Sequence, residues 1–104
     1  MEIDELTERV EGVSARYAAS LGFERTDEWY VLKLQEEVGE LAQAFLMRQG
    51  RARAKGRDDA QLDAEFRAEI ADVLCQTLLL ARHHGVDLPS AVAEKWLVWE
   101  SERC

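Results

Sequence analysis

Apolar residues recur at three- and four-residue steps along most of the chain, the spacing that gathers them on one face of a helix. The first such stripe, Ile3, Leu6, Val10, Val13, Tyr17 and Leu21, leaves Glu2, Asp4, Glu5, Glu8 and Glu11 on a wet side. A second helix is predicted from near Asp27, a residue suited to cap it, to about Arg48 before Gly50. Its core face carries Leu34, Val38, Leu41 and Phe45. A third runs from about Asp59 to His84 and stops at Gly85. It is apolar around much of its circumference, with Leu62, Phe66, Ile70, Val73, Leu74, Leu78, Leu79 and Leu80, and so needs neighbours on several sides. The last helix begins around Pro89 and carries Val92, Trp96 and Trp99 towards the end of the chain. No convincing strand, repeat or linker interrupts this series. The expected fold class is therefore all-α, a helical bundle of about four helices, with residues 1–104 forming a single domain.

A chain of 104 residues buries only about two-thirds of the surface its unfolded form exposes, which leaves room for added burial by self-association. No apolar stretch is long enough to span a bilayer, and the acidic start MEIDELTERVEG is unlike a signal or transit peptide. A cytoplasmic protein is expected. The net charge of −8 argues against general binding to nucleic acid or to an anionic membrane, since both are polyanions. Cys75, inside an apolar segment, and Cys104 have neither metal-ligand spacing nor the density of a disulfide scaffold. Between Arg48 and Arg57, however, RQGRARAKGR holds five of the thirteen basic residues and no acid. Two readings of it stand side by side, a solvated loop and a loop that grips phosphate.

The acids of the second and third helices change the picture. Glu37 and Glu40 stand one turn apart at the edge of the apolar stripe, with Glu36 about a quarter-turn further out, and Glu69 and Asp72 repeat the spacing. If the two helices form an antiparallel hairpin, facing residues keep a constant sum. Glu37 with Asp72 and Glu40 with Glu69 both give 109. Four carboxylates then make two adjacent rungs between apolar stripes, an all-oxygen cage suited to a hard divalent cation, Mg²⁺ or Mn²⁺. A di-iron site of the ferritin type would want a Glu-x-x-His pair, and neither pair contains histidine. The plain alternative is a set of solvated acids in a chain that has twenty-one.

EEVGE, Glu36 to Glu40, followed after 28 residues by EIAD, Glu69 to Asp72, resembles the EExxE…ExxD signature of the MazG-like all-α nucleoside triphosphate pyrophosphohydrolases. The likeness runs from roughly Trp29 to Lys95 and includes Lys33, ADVL after the second motif, and HGVDLPSAVAEK. It implies a helical bundle assembled as a homodimer or homotetramer, dependence on Mg²⁺, and cleavage of a nucleotide between its α- and β-phosphates. By matching positions it implies that Glu37, Glu40, Glu69 and Asp72 hold metal, with Glu36 outside them, on a further metal or beside the attacking water. One departure is that KWLVWESER after Lys95 lacks the asparagine and most of the basic residues often seen there, keeping only Arg103. From the fourth helix the resemblance implies a substrate contact by Lys95.

A polyphosphate can approach such an acidic site only through bridging cations, which neutralise phosphate oxygens and help to deprotonate a water for in-line attack. Glu36 and Glu37 are both candidates to accept that proton. Lys33 either supplies countercharge to phosphates or pairs with Glu37 at i,i+4. Towards the nucleoside end, Lys33 faces Gln76, again at a sum of 109, and Trp29 lies a turn beyond. Trp29 stacking on a base with Gln76 hydrogen-bonding to it competes with a tryptophan that closes the core beside an exposed glutamine. His83 and His84 are accounted for by a helix C-terminus, and Trp96 and Trp99 by packing in the bundle or an interface. The expected activity is hydrolysis of non-standard or excess nucleoside triphosphates to monophosphate and pyrophosphate. Two alternatives are a phosphoribosyl-ATP pyrophosphohydrolase, against which CQT after ADVL speaks, and a non-catalytic helical module that binds a nucleotide or a protein partner.

Overall fold

A computed structural model describes residues 1–101, so Arg103 and Cys104 lie outside the described residues. Among the described residues there are four α-helices and no strand: α1 Ile3–Leu21, α2 Asp27–Arg48, α3 Asp59–His83 and α4 Leu88–Lys95, followed by a 3₁₀ turn at Leu97–Trp99. The boundaries are set by local chemistry. Gly22, at φ 71°, ends α1 in the left-handed conformation that glycine adopts without penalty. Thr26 rather than Asp27 caps α2, accepting from the Trp29 N–H at 3.2 Å. Asp58 caps α3 in a reciprocal box with Gln61, at 2.8 Å and 2.9 Å. Asp87 caps α4. His84 is the cap residue of α3 rather than part of the helix, and the chain turns away at Gly85.

Helices α2 and α3 form the predicted antiparallel hairpin. Two pairs measure its register: Asp27 accepts from His83 at 2.6 Å, and Asp63 accepts from Arg48 at 2.9 Å. Their residue numbers add to 110 and 111, within two of the predicted 109. Helix α1 packs on α3, tied by Arg82 to Glu8 at 2.7 Å, while Arg25 of the α1–α2 connection pairs with Glu11 at 2.7 Å. Two acids expected on the wet side of α1 therefore hold the helix in place. Helix α4 packs chiefly against the 3₁₀ turn that follows it.

The core is small: Ala18, Tyr30, Ala44, Met47, Leu62, Leu78, Leu79 and Ala81. The face of α2 expected to be internal is only partly so, with Leu34 and Leu41 half-buried. Val38 and Phe45 remain 48% and 43% exposed, and the strip buried against α3 is instead Tyr30, Glu37, Ala44 and Met47. Ile70 and Leu74 of α3 are equally open, as are Trp96 and Trp99, which do not pack into the bundle of one chain. The radius of gyration is 16.6 Å, against about 13 Å for a compact domain of this length.

Candidate metal centre

The hairpin brings Glu37, Glu40 and Glu69 together, each offering a carboxylate oxygen within 4.8 Å of the other two. One turn of α2 and one residue of α3 suffice, because i,i+3 acids on α2 share the face that meets α3. Glu37 is 7% exposed, the one charged residue buried in the core among the described residues. Its Oε2 and that of Glu69 are buried without a hydrogen-bond partner. Burial foremost, then the adjoining Glu40 and the charge of Asp72, lifts the Glu37 pKa to about 7, with Lys33 offsetting part of the effect. Burial and the charges of Asp72 and Glu40 likewise raise that of Glu69. Three crowded carboxylates, two of them with a buried unpaired oxygen, are costly alone. A hard divalent cation would answer both the charge and the missing partners, so these residues fit one.

Asp72 is not part of the trio. It lines a cavity of about 370 Å³ on the side of the hairpin covered by α1, and acts on Glu37 and Glu69 through its charge. Glu36 lies outside the trio and is half-exposed, with Lys33 Nζ at 3.5 Å; Lys33 reaches Glu37 at 3.6 Å. Lys33 thus makes the expected i,i+4 pair with Glu37, and it also lines the Asp72 cavity.

That cavity gathers three of the residues expected at the nucleoside end, Trp29, Lys33 and Gln76. Gln76 Oε1 is buried and unpaired there. Trp29 also joins an aromatic row, its ring 5.7 Å from Phe23 and 5.0 Å from Tyr30. It therefore closes the end of the core and lines the cavity at once. Val10, Val13, Ser14 and Tyr17 of α1 form the opposite wall. The sequence pattern assigns α1 a packing role only, and no motif marks these residues; they matter because of where α1 lies. Cys75 shares the lining, and burial followed by the Asp72 charge pushes its thiol up, as expected of an inert cysteine.

Lys95 does not join these residues. It ends α4, beyond the turn at Gly85, and lines neither this cavity nor the one on the loop side of the carboxylates. A second group of possible ligands, Asp27, His83 and His84, is exposed and joins the start of α2 to the end of α3. There the acid and the imidazoles each complement a helix dipole.

The profile of the MazG nucleotide pyrophosphohydrolase domain matches residues 25–96, which include the whole carboxylate hairpin. The chain belongs to the MazG family. The match begins after α1 and ends before the 3₁₀ turn, so the α1 wall of the cavity lies outside the part of the chain that carries the MazG pattern. No curated protein and no solved structure matches the sequence. Membership makes this a nucleotide pyrophosphohydrolase domain of a family that typically depends on divalent metal. No helix among the described residues is long and apolar enough to cross a membrane.

Proposed function

We propose that the protein is a Mg²⁺-dependent nucleoside triphosphate pyrophosphohydrolase, cleaving non-standard or excess triphosphates between the α- and β-phosphates. The observation that carries this reading is the electrostatic conflict of Glu37, Glu40 and Glu69, three carboxylates within 4.8 Å with two buried oxygens left unpaired. In this reading Glu37, Glu40 and Glu69 hold the cation, and Asp72, on the cavity side, completes the set. Mg²⁺, when bound, neutralises phosphate oxygens and acidifies water. Mn²⁺ satisfies the same oxygen donors.

Glu36 lies outside the trio, next to Lys33, and is the carboxylate left to take the proton of the attacking water. Glu37 competes for that role only if one of its oxygens stays off the cation. Lys33 contacts the phosphate nearest the nucleoside. Trp29 stacks on the base, and the unpaired Gln76 oxygen accepts a hydrogen bond from it. Two copies associate through the open apolar face of α2 and α3, and Lys95 serves a substrate held by the other copy, since within one chain it lines neither cavity beside the carboxylates.

Phosphorus-31 NMR tests the reaction. With Mg²⁺, a panel of ribo- and deoxyribonucleoside triphosphates should yield pyrophosphate and monophosphate, and EDTA should stop the reaction. Glu40→Gln should lower kcat/KM by about a hundredfold or more with helicity unchanged. Survival of every triphosphate with folded, Mg²⁺-loaded protein would sink the proposal and turn attention to phosphoribosyl-ATP or to a binding role.

A further inference from the structure

The five basic residues of the α2–α3 connection do not act alike. Arg48 is held by Asp63 at 2.9 Å, with its guanidinium 5.0 Å from the centre of the Phe66 ring. Arg57 donates to Glu65 at 2.6 Å and to the Ala54 carbonyl at 3.2 Å. Lys55 makes no ion pair among the described residues, yet lines a cavity of about 470 Å³ whose far wall is Glu40 and Glu69. Its backbone is also unusual. Lys55 and Gly56 have φ of 55° and 84°, and the Arg57 N–H closes the turn onto the Ala54 carbonyl at 3.2 Å. A turn with two positive central φ values favours Asn-Gly or Gly-Gly, and a lysine in its first central position is held against the preference of its β-carbon.

The carboxylate trio thus stands between two unlike cavities. One, towards the start of α2, presents Tyr17 and Trp29 with Gln76. The other, towards the loop, presents Gln43, Lys55 and Arg57 and has no aromatic residue. In the loop cavity the acids are already committed, Glu65 to Arg57 and Glu40 and Glu69 to the proposed cation, so Lys55 is the uncompensated charge.

We propose that the Lys55–Arg57 turn is a pyrophosphate subsite, so that a bound triphosphate lies along the hairpin with its β- and γ-phosphates towards the loop and its nucleoside against α1. Lys55 supplies a free ammonium to the terminal phosphates, and Arg57, fixed by Glu65, holds the turn that presents it. This assignment rests on the pyrophosphohydrolase reading of the carboxylates, and it gives the scissile bond a direction: the leaving pyrophosphate departs on the side of the loop.

Isothermal titration of the protein in Mg²⁺ with pyrophosphate, and separately with a nucleoside monophosphate, tests the subsite without turnover. Lys55→Asn should weaken pyrophosphate by about tenfold, the effect of losing one hydrogen bond to a charged group, and leave the monophosphate within twofold. Because asparagine accepts a positive φ readily, this variant should melt no lower than the parent. Lys55→Arg should retain most of the affinity, and Arg53→Ala, which removes a charge from the same loop but not from the cavity, should change it less than twofold. Equal loss with Lys55→Asn and Arg53→Ala would reduce the effect to general loop charge and overturn the subsite. So would an unchanged pyrophosphate affinity in Lys55→Asn, or no pyrophosphate binding by the parent. If the parent still hydrolyses triphosphates in those cases, the carboxylate reading survives the loss of the subsite; if it does not, both fall.

Discussion

Glu37 sits 7% exposed beside two other carboxylates, and its pKa rises to about 7 from an ordinary 4.5. A carboxyl whose folded pKa is raised binds more proton in the native state than in the unfolded state between those two values. The metal-free protein therefore loses stability as pH climbs from about 4.5 through 7, by up to about 3 kcal/mol from this group. Glu69, shifted the same way, adds to the trend. Mg²⁺ should act in the opposite sense, stabilising more at pH 8 than at pH 5.5, because it must displace that proton. The check is chemical denaturation in EDTA at pH 5 and pH 8 for the parent and Glu37→Gln. The general repulsion of a net −8 chain is nearly common to both proteins, so a steeper fall for the parent isolates Glu37. Parallel slopes would mean that Glu37 is ionised in the metal-free protein and that the trio is less crowded than its oxygen separations indicate.

At the scale of elements, α3 begins on a capping box that also fixes where the basic loop ends. Asp58→Ala removes an acceptor for the Gln61 N–H and should cost about 1 kcal/mol, measured as a lower denaturant midpoint at unchanged slope. The hairpin it starts was legible in the sequence to a useful degree. Equal i,i+3 spacing in Glu37/Glu40 and Glu69/Asp72 marked the register within two residues, and the pairs Asp27–His83 and Arg48–Asp63 bear that out. What the period could not encode is which strip of α2 turns inward. Val38 and Phe45 are more apolar than Ala44, yet Ala44 is buried, because a small residue lets α3 approach closely while the larger ones stand on the flank. The lateral position of α1 was hidden for the same reason. Its stripe names a face, but not that Val13 and Tyr17 lie over a cavity instead of a core. The convergence of Glu37, Glu40 and Glu69 could be read because it depends on two helices joined by one loop. Asp72, on the same hairpin, falls outside the trio because the register and the rotation of α3 differ slightly from the ideal, while Lys95 lies on a helix that leaves the hairpin and depends on longer-range placement.

The single chain leaves a run of large apolar side chains in water. Val31, Val38 and Phe45, seven residues apart on α2, are exposed, as are Ile70 and Leu74 of α3. Between them runs a groove lined by Val38, Leu41, Ala42, Phe45, Phe66 and Ile70, without one polar side chain. Val38, Phe45, Ile70 and Leu74 are each about half exposed, and covering all four would contribute about 4 kcal/mol per copy. That is comparable with the whole stability of a domain of about 100 residues, roughly 5–15 kcal/mol. The face lies across the hairpin from α1, so a second copy can cover it without closing the cavity lined by Trp29 and Gln76. Light scattering behind gel filtration should therefore find a multiple of the 11.9 kDa chain mass at micromolar concentration. Phe45→Glu places a carboxylate in the dry groove and should shift the protein to the single-chain mass with a lower melting temperature. Arg51→Glu, on the exposed loop, should leave the mass unchanged. A parent that elutes at 11.9 kDa with its full helical spectrum would show that one chain is stable with this face in water. The contact of Lys95 with a substrate held by another copy would then have no basis.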